Sequence, residues 1–209
     1  MADPRPHICI VEDDQPVREA LTRLVGSLGH EVISFGSAEE FEDLRPATPC
    51  ACLLLDVRLP GISGIALHEK LRKQKWHVPV VFMTGHGDVP LAVEAMKCGA
   101  LNFLIKPVDE NVLIGAIETA LAAHKAHSLR EHETQAAHER LDRLTPREMD
   151  VLREVVTGSQ NKQIADRLGI ALKTVKIHRG RVMSKMEAES VVELARMVAL
   201  TERVDGPTP

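Results

Sequence analysis

Several residues able to do chemistry close apolar runs in the first half of the chain. Glu12 and Asp13 follow His7–Val11, Asp56 follows Ala51–Leu55, the hydroxyl of Thr84 follows Val78–Met83, and Lys106 follows Leu101–Ile105. Carboxylates gathered in one place repel unless a cation sits among them. Glu12, Asp13 and Asp56 would form an oxygen-rich pocket of the kind that holds Mg²⁺, completed by water and a backbone carbonyl. Lys106 adds a second positive charge and Thr84 a hydroxyl beside Asp56. Such a pocket suits in-line phosphoryl transfer onto a carboxylate, with Asp56 as the nucleophile.

That convergence needs a scaffold. The first 125 residues alternate between two hydrophobic periods. Short apolar runs at His7–Val11, Glu31–Phe35, Ala51–Leu55, Val78–Met83 and Leu101–Ile105 read as strands. Stretches at Val17–Leu28, Ser37–Leu44, Ile65–Leu71 and Val89–Met96 read as helices, with Ser37 as an N-cap. The undiluted run at Ala51–Leu55 is that of a parallel strand covered on both faces. The order is (βα)5, an α/β fold with a doubly wound parallel sheet and right-handed crossovers. In such sheets functional groups gather beyond the carboxyl ends of the strands, where these residues fall.

From Asp109 the pattern becomes one long helix, running to about Leu144. Beyond Ala123 it turns polar, and its sparse stripe of Leu129, Ala136 and Leu141 reads as a helical linker or a weak coiled-coil seam. His124, His127, His132 and His138 lie here, either solvated or available to a metal or a proton. Thr145-Pro146-Arg147-Glu148 is a helix start with capping-box spacing, leading to Val156. Further helices are expected at Asn161–Leu168, at Leu172–Met186 and at Ser190–Leu200, before a frayed tail. The divisions are thus 1–125 (α/β), 126–143 (helical linker), 144–203 (all-α) and 204–209 (flexible tail).

Charge separates the halves. Residues 1–125 carry 12 basic and 17 acidic side chains, whereas 126–209 carry 14 and 13. Within 160–186, Lys162, Arg167, Lys173, Lys176, Arg179, Arg181 and Lys185 face only Asp166. Asn161–Gly169 followed by Leu172–Met186 reads as helix-turn-helix, with Ile164, Ala165, Leu168, Val175 and Val182 turned inward. Lys173, Lys176, Arg179 and Lys185 are expected on the outer face, bordered by Thr174, Ile177, His178 and Arg181. A basic helix of this kind fits the major groove of double-stranded DNA, or else marks a dimerisation module with a solvated surface. Every aromatic residue precedes position 126, so stacking platforms for single-stranded RNA are lacking in the basic region. Cys9, Cys50, Cys52 and Cys98 form no CxxC pair and read as reduced thiols of a cytoplasmic protein. No apolar run reaches the ~18 residues a membrane helix needs, and MADPRPH lacks the features of a secretory signal.

The first half resembles the receiver domain of bacterial two-component response regulators. The resemblance rests on CIVEDD, LLLDVRLPGISG, VVFMTGHGD and FLIKP. It implies Asp56 as phospho-acceptor from a sensor histidine kinase, with Mg²⁺ held by Glu12, Asp13, Asp56 and the Arg58 carbonyl. It also implies a cis Lys106-Pro107 bond, phosphate contacts from Thr84 and Lys106, and Phe103 as switch aromatic or plain core residue. Asp14 falls one place beyond the acidic pair, as a supporting or solvent-facing acid. Arg58 and His86 would line the pocket mouth and tune water attack. The second half, LTPREMDVLREVVTGSQNKQIADRLGIALKTVKIHRGRVMSKM, resembles the LuxR-type helix-turn-helix of the FixJ/NarL family. By that resemblance Lys176, Ile177 and Gly180 face base edges, while Lys173, Thr174 and Arg179 lie near the DNA backbone. The final helix would make the dimer contact. Ala171 stands where the family usually has a capping Ser, and Gly180 interrupts the recognition helix. Together these imply a phosphorylation-dependent transcription regulator, rather than an enzyme, that homodimerises on DNA and addresses RNA polymerase. A phosphorelay intermediate, an RNA-binding antiterminator and a phosphatase are the rival readings.

Overall fold

A computed structural model describes residues 7–45, 50–85, 93 and 96–205, the last four by backbone alone. Of the expected helix at Val89–Met96 only Val93 and Met96 are described, both helical, and His86 lies outside the described residues. Five parallel strands form one sheet in the order β2-β1-β3-β4-β5: β1 (His7–Val11), β2 (Val32–Phe35), β3 (Cys50–Asp56), β4 (Val80–Thr84) and β5 (Asn102–Ile105). Every residue of β3 is buried. Its alternate side chains enter two cores. Leu53 and Leu55 join Cys9, Val11 and Phe82 beneath α2 (Ala38–Asp43) and α3 (Gly64–Lys73), where Phe41, Leu67 and Leu71 pack. Cys52 and Leu54 join Ile8, Ile10, Val81 and Met83 on the other face. There α1 (Gln15–Ser27) supplies Leu21 and Val25, and α4 (Glu110–Asp142) supplies Leu113, Ala116, Ile117 and Ala120. The two faces explain why this strand has no polar residue before Asp56.

Strand β4 starts at Val80 rather than Val78. Pro79 lends its carbonyl to the Leu53 amide at 2.9 Å but has no N–H to give back. All four cysteines are free thiols, three of them buried.

The chain divides into two compact units, Met1–His127 and Ser128–Pro209. Helix α4 gives its residues 110–127 to the first and 128–142 to the second. The second unit is all helical: α5 (Pro146–Val156), α6 (Asn161–Leu168), α7 (Leu172–Met186) and α8 (Val191–Asp205). Its core joins Val151, Leu152, Val155, Ile164, Val175, Val182, Met186 and Leu194. Two expectations need correction here. Within 128–142 the buried residue is Ala137, and Leu141 is partly buried against the helical core; Leu129 is 58% exposed and Ala136 only half-buried. Ion pairs Arg140–Glu187 (2.7 Å) and Arg196–Glu133 (3.0 Å) tie this segment into the unit. The segment thus packs with the second unit through Leu141 and these two ion pairs. Helix α8 also runs on to Asp205, past the expected end at Leu200.

Candidate functional site

The phosphoryl-type pocket is built at the carboxyl ends of β1, β3, β4 and β5. Glu12 follows β1 and is 1% exposed; Asp56 ends β3 at 6%; Thr84 ends β4 at 0%. Lys106, next after β5, reaches back across the sheet end. Its Nζ donates to Asp56 Oδ2 and to Glu12 Oε2, each at 2.5 Å. The other Asp56 oxygen, Oδ1, accepts the Arg58 amide at 2.8 Å. Ligand oxygens of Glu12, Asp13 and Asp56 lie within 4.8 Å of one another, with Asp13 the exposed member. The Lys106-Pro107 peptide is cis, and the Lys106 amide donates to the Thr84 carbonyl at 2.7 Å.

The electrostatics of the cluster suit a divalent cation. Burial, reinforced by the neighbouring Asp56 carboxylate and opposed by the Lys106 ammonium, pushes Glu12 up to about 7. Burial also works against the charge on Lys106, but its hydrogen bonds to Asp56 and Glu12 outweigh it and raise the lysine. Two buried oxygens, Glu12 Oε1 and Thr84 Oγ1, have no hydrogen-bond partner among the described residues. Buried polar atoms are nearly always satisfied, so an orphan pair at a carboxylate cluster marks a place for groups that arrive later. An all-oxygen donor set suits a hard divalent ion such as Mg²⁺.

Asp14 takes no part in this cluster. It is the N-cap of α1, its Oδ1 accepting the Val17 amide at 3.1 Å. The solvent-facing alternative for this acid is thus the correct one, with a capping role that the Asp-x-x-Val spacing could have signalled. Phe103 is half-buried on β5 and packs against the core of Phe82 and Leu55. Sequence reasoning missed Gly64. A Cβ there would collide with the Asp56 carbonyl oxygen, so only glycine lets α3 begin this close to the end of β3.

The second unit carries the basic face. Val175, Val182 and Met186 anchor α7 in the core, leaving Lys173, Lys176, Ile177, Gly180 and Arg181 exposed and Thr174, His178 and Arg179 half-buried. Gly169, at φ +63°, closes α6 in a left-handed cap and turns the chain into α7. Ala171 is the N-cap of α7 and offers no side-chain bond. Lys185 does not join the exposed face as expected. Its Nζ donates to Glu148 Oε2 at 2.6 Å and to the Arg143 carbonyl at 2.9 Å. Glu148 is 2% exposed and closes the capping box of α5 with Thr145. The Lys185 bond and the Thr145 amide hold its carboxyl down at about 2. Arg179 donates to Asn161 Oδ1 at 2.8 Å, which fixes its stem against the start of α6.

Two family models match the chain: the response regulator receiver domain over residues 8–118, and the luxR family of bacterial regulatory proteins over 142–198. Nodulation protein W of Bradyrhizobium diazoefficiens is 43% identical over 190 residues, covering 91% of this chain and 84% of that protein. The transcriptional regulatory protein FixJ of Azorhizobium caulinodans is 43% identical over 202 residues, covering 96% of each. Among solved structures, the response regulator StyR superposes with a TM-score of 0.81 at 41% identity, covering 93% of this chain and 98% of that one. Full-length FixJ from B. japonicum gives 0.59 at 38% identity, covering 95% and 98%.

Proposed function

Since the chain belongs to the FixJ-type response regulators, phosphorylation-dependent transcription regulators that join a receiver domain to a LuxR-type DNA-binding domain, we propose that Asp56 is its phospho-acceptor. Glu12, Asp13, Asp56 and the Arg58 carbonyl are the residues that would hold Mg²⁺. The ion supplies neutralisation of the phosphoryl charge. A carboxylate oxygen of Asp56 attacks the phosphorus of a kinase phosphohistidine, the P–N bond breaks, and the leaving imidazole nitrogen takes a proton. Lys106, already on Asp56, neutralises charge on the acyl phosphate, and the Thr84 hydroxyl donates to a phosphoryl oxygen. The observation that carries this reading is the Lys106 bridge between Asp56 and Glu12 beside two orphaned oxygens. The receiver thereby contributes to its own phosphotransfer and dephosphorylation.

Thr84 and Phe103 then act as the switch. Drawing the Thr84 hydroxyl onto the phosphoryl group alters contacts at the end of β4, and only a difference in contacts between two states shifts their populations. The phosphorylated form pairs into a homodimer or releases the helix-turn-helix for promoter DNA. Lys173, Thr174 and Arg179 serve the phosphate backbone, and Lys176, Ile177 and Gly180 the base edges of the major groove. Residues 1–125 work as receiver, 126–143 as helical connection, 144–203 as DNA-binding domain and 204–209 as tail. The DNA-bound dimer addresses RNA polymerase in the cytoplasm; no described helix is long and apolar enough to cross a membrane.

The decisive comparison is particle size and promoter binding with and without beryllofluoride plus Mg²⁺, for wild type and Asp56→Asn. Wild type alone should dimerise and gain DNA affinity. An identical response from both proteins would remove Asp56 from the switch.

A further inference from the structure

The acidic turn after β1 has an unusual demand placed on it. Glu12 and Asp13 are adjacent, yet both carboxylates must converge with Asp56 on one point, within 4.8 Å. Their carbonyls must then turn elsewhere, although three like charges favour opening the turn. The Glu12 amide is held by the Phe35 carbonyl of β2 at 3.1 Å, which fixes only the front of this segment.

Arg18, one turn into α1 and half-buried, holds the rest. Its Nη1 donates to the Glu12 carbonyl at 2.6 Å and also approaches the Asp13 carbonyl at 3.2 Å. One guanidinium nitrogen thus spans two consecutive peptide carbonyls, those of the two acids themselves. Arg18 is itself well located. Its backbone amide donates to the Asp14 carbonyl at 2.9 Å, and its guanidinium lies beside Gly36, where a Cβ would meet Nη1 at 3.6 Å. Asp14, capping the same helix, fixes the other end of the turn.

We propose that Arg18 is a positioning residue for the cation site: by holding the Glu12 and Asp13 carbonyls outward, it keeps both carboxylates aimed at Asp56. The proposal rests on the reading of Glu12, Asp13 and Asp56 as Mg²⁺ ligands. Arg18 reaches the site through the Glu12 and Asp13 carbonyls and is not itself a ligand in this reading. Its positive charge alone would weaken cation binding, so any gain in affinity must come through geometry. A lysine has a single ammonium in place of the rigid guanidinium fork and restores the effect only in part.

The test is Mg²⁺ titration followed by the amide resonances of Val57 and Arg58, together with hydrogen exchange of residues 12–14 in the metal-free protein. Arg18→Ala should weaken Mg²⁺ binding roughly tenfold and speed exchange in that turn, and Arg18→Lys should fall between it and wild type. A folded Arg18→Ala protein with wild-type Mg²⁺ affinity overturns the proposal, as does one that binds more tightly. Should the alanine variant fail to fold, the lysine variant decides: weaker binding supports the assignment and unchanged binding overturns it. Absence of Mg²⁺ binding in the wild type would overturn the cation site itself, a result distinct from equal binding by both proteins.

Discussion

Gly180 shows how a single residue balances stability against contact. It lies inside α7, where glycine costs about 1 kcal/mol against alanine, and a Cβ there would meet nothing within 4 Å. Packing therefore does not require the glycine, whereas close approach of a groove would. Gly180→Ala should raise the thermal midpoint of the helical unit by about 4–8 °C. It should also weaken binding to promoter DNA selected by the wild-type protein, read by mobility shift. A variant that is more stable and binds equally well would remove Gly180 from the DNA surface. The pocket residues were legible because each polar group ends an apolar run, and a parallel sheet collects those ends. Arg18 on two carbonyls, Arg179 on Asn161 and Lys185 on Glu148 were not. Long basic side chains look alike in sequence, and their partners depend on packing between elements far apart in the chain.

At the scale of elements, Glu148 joins a local signal to a distant one. The capping box with Thr145 follows from four adjacent residues, so the start of α5 was readable. The bond that draws Lys185 of α7 onto the same carboxylate spans 37 positions, and no periodicity announces it. A basic residue counted toward the DNA face is instead a brace between two helices. The consequence is a specific acid limb. Glu148 is held at about 2, below its ordinary value of ~4.5, so its contribution is fully present above pH ~4.5. It is lost as pH falls toward 2, because the unfolded chain's carboxylate takes up a proton more readily than the folded one. Chemical denaturation of the helical unit across pH 2–6 should show this loss. Glu148→Gln should keep the cap and flatten the profile in that window. Its neutral-pH stability should be lower by about 1 kcal/mol, since Lys185 loses its charged partner. An unchanged acid limb in the variant would place the titration elsewhere. The end of α8 escaped sequence reading because the apolar pattern fades at the polar Thr201-Glu202-Arg203, whereas the first strong breaker is Gly206.

At the scale of the whole molecule, the sheet cores and the helical core share no residue. The two compact units meet in sequence within α4. A ligand that binds only the native form of one unit stabilises that unit by mass action, by about 2.7 kcal/mol at a hundredfold excess over its Kd. The acidic pocket lies wholly in Met1–His127 and the Glu148–Lys185 brace wholly in Ser128–Pro209. Calorimetry of the full chain should therefore resolve two transitions, one raised by Mg²⁺ and the other lowered by Glu148→Gln. Asp56→Asn should blunt the Mg²⁺ response of the first and leave the second unmoved. A single transition shifted by both perturbations would mean that the continuous helix couples the units even without phosphate. Phosphorylation would then act by loosening an existing cooperative link rather than by creating a new contact.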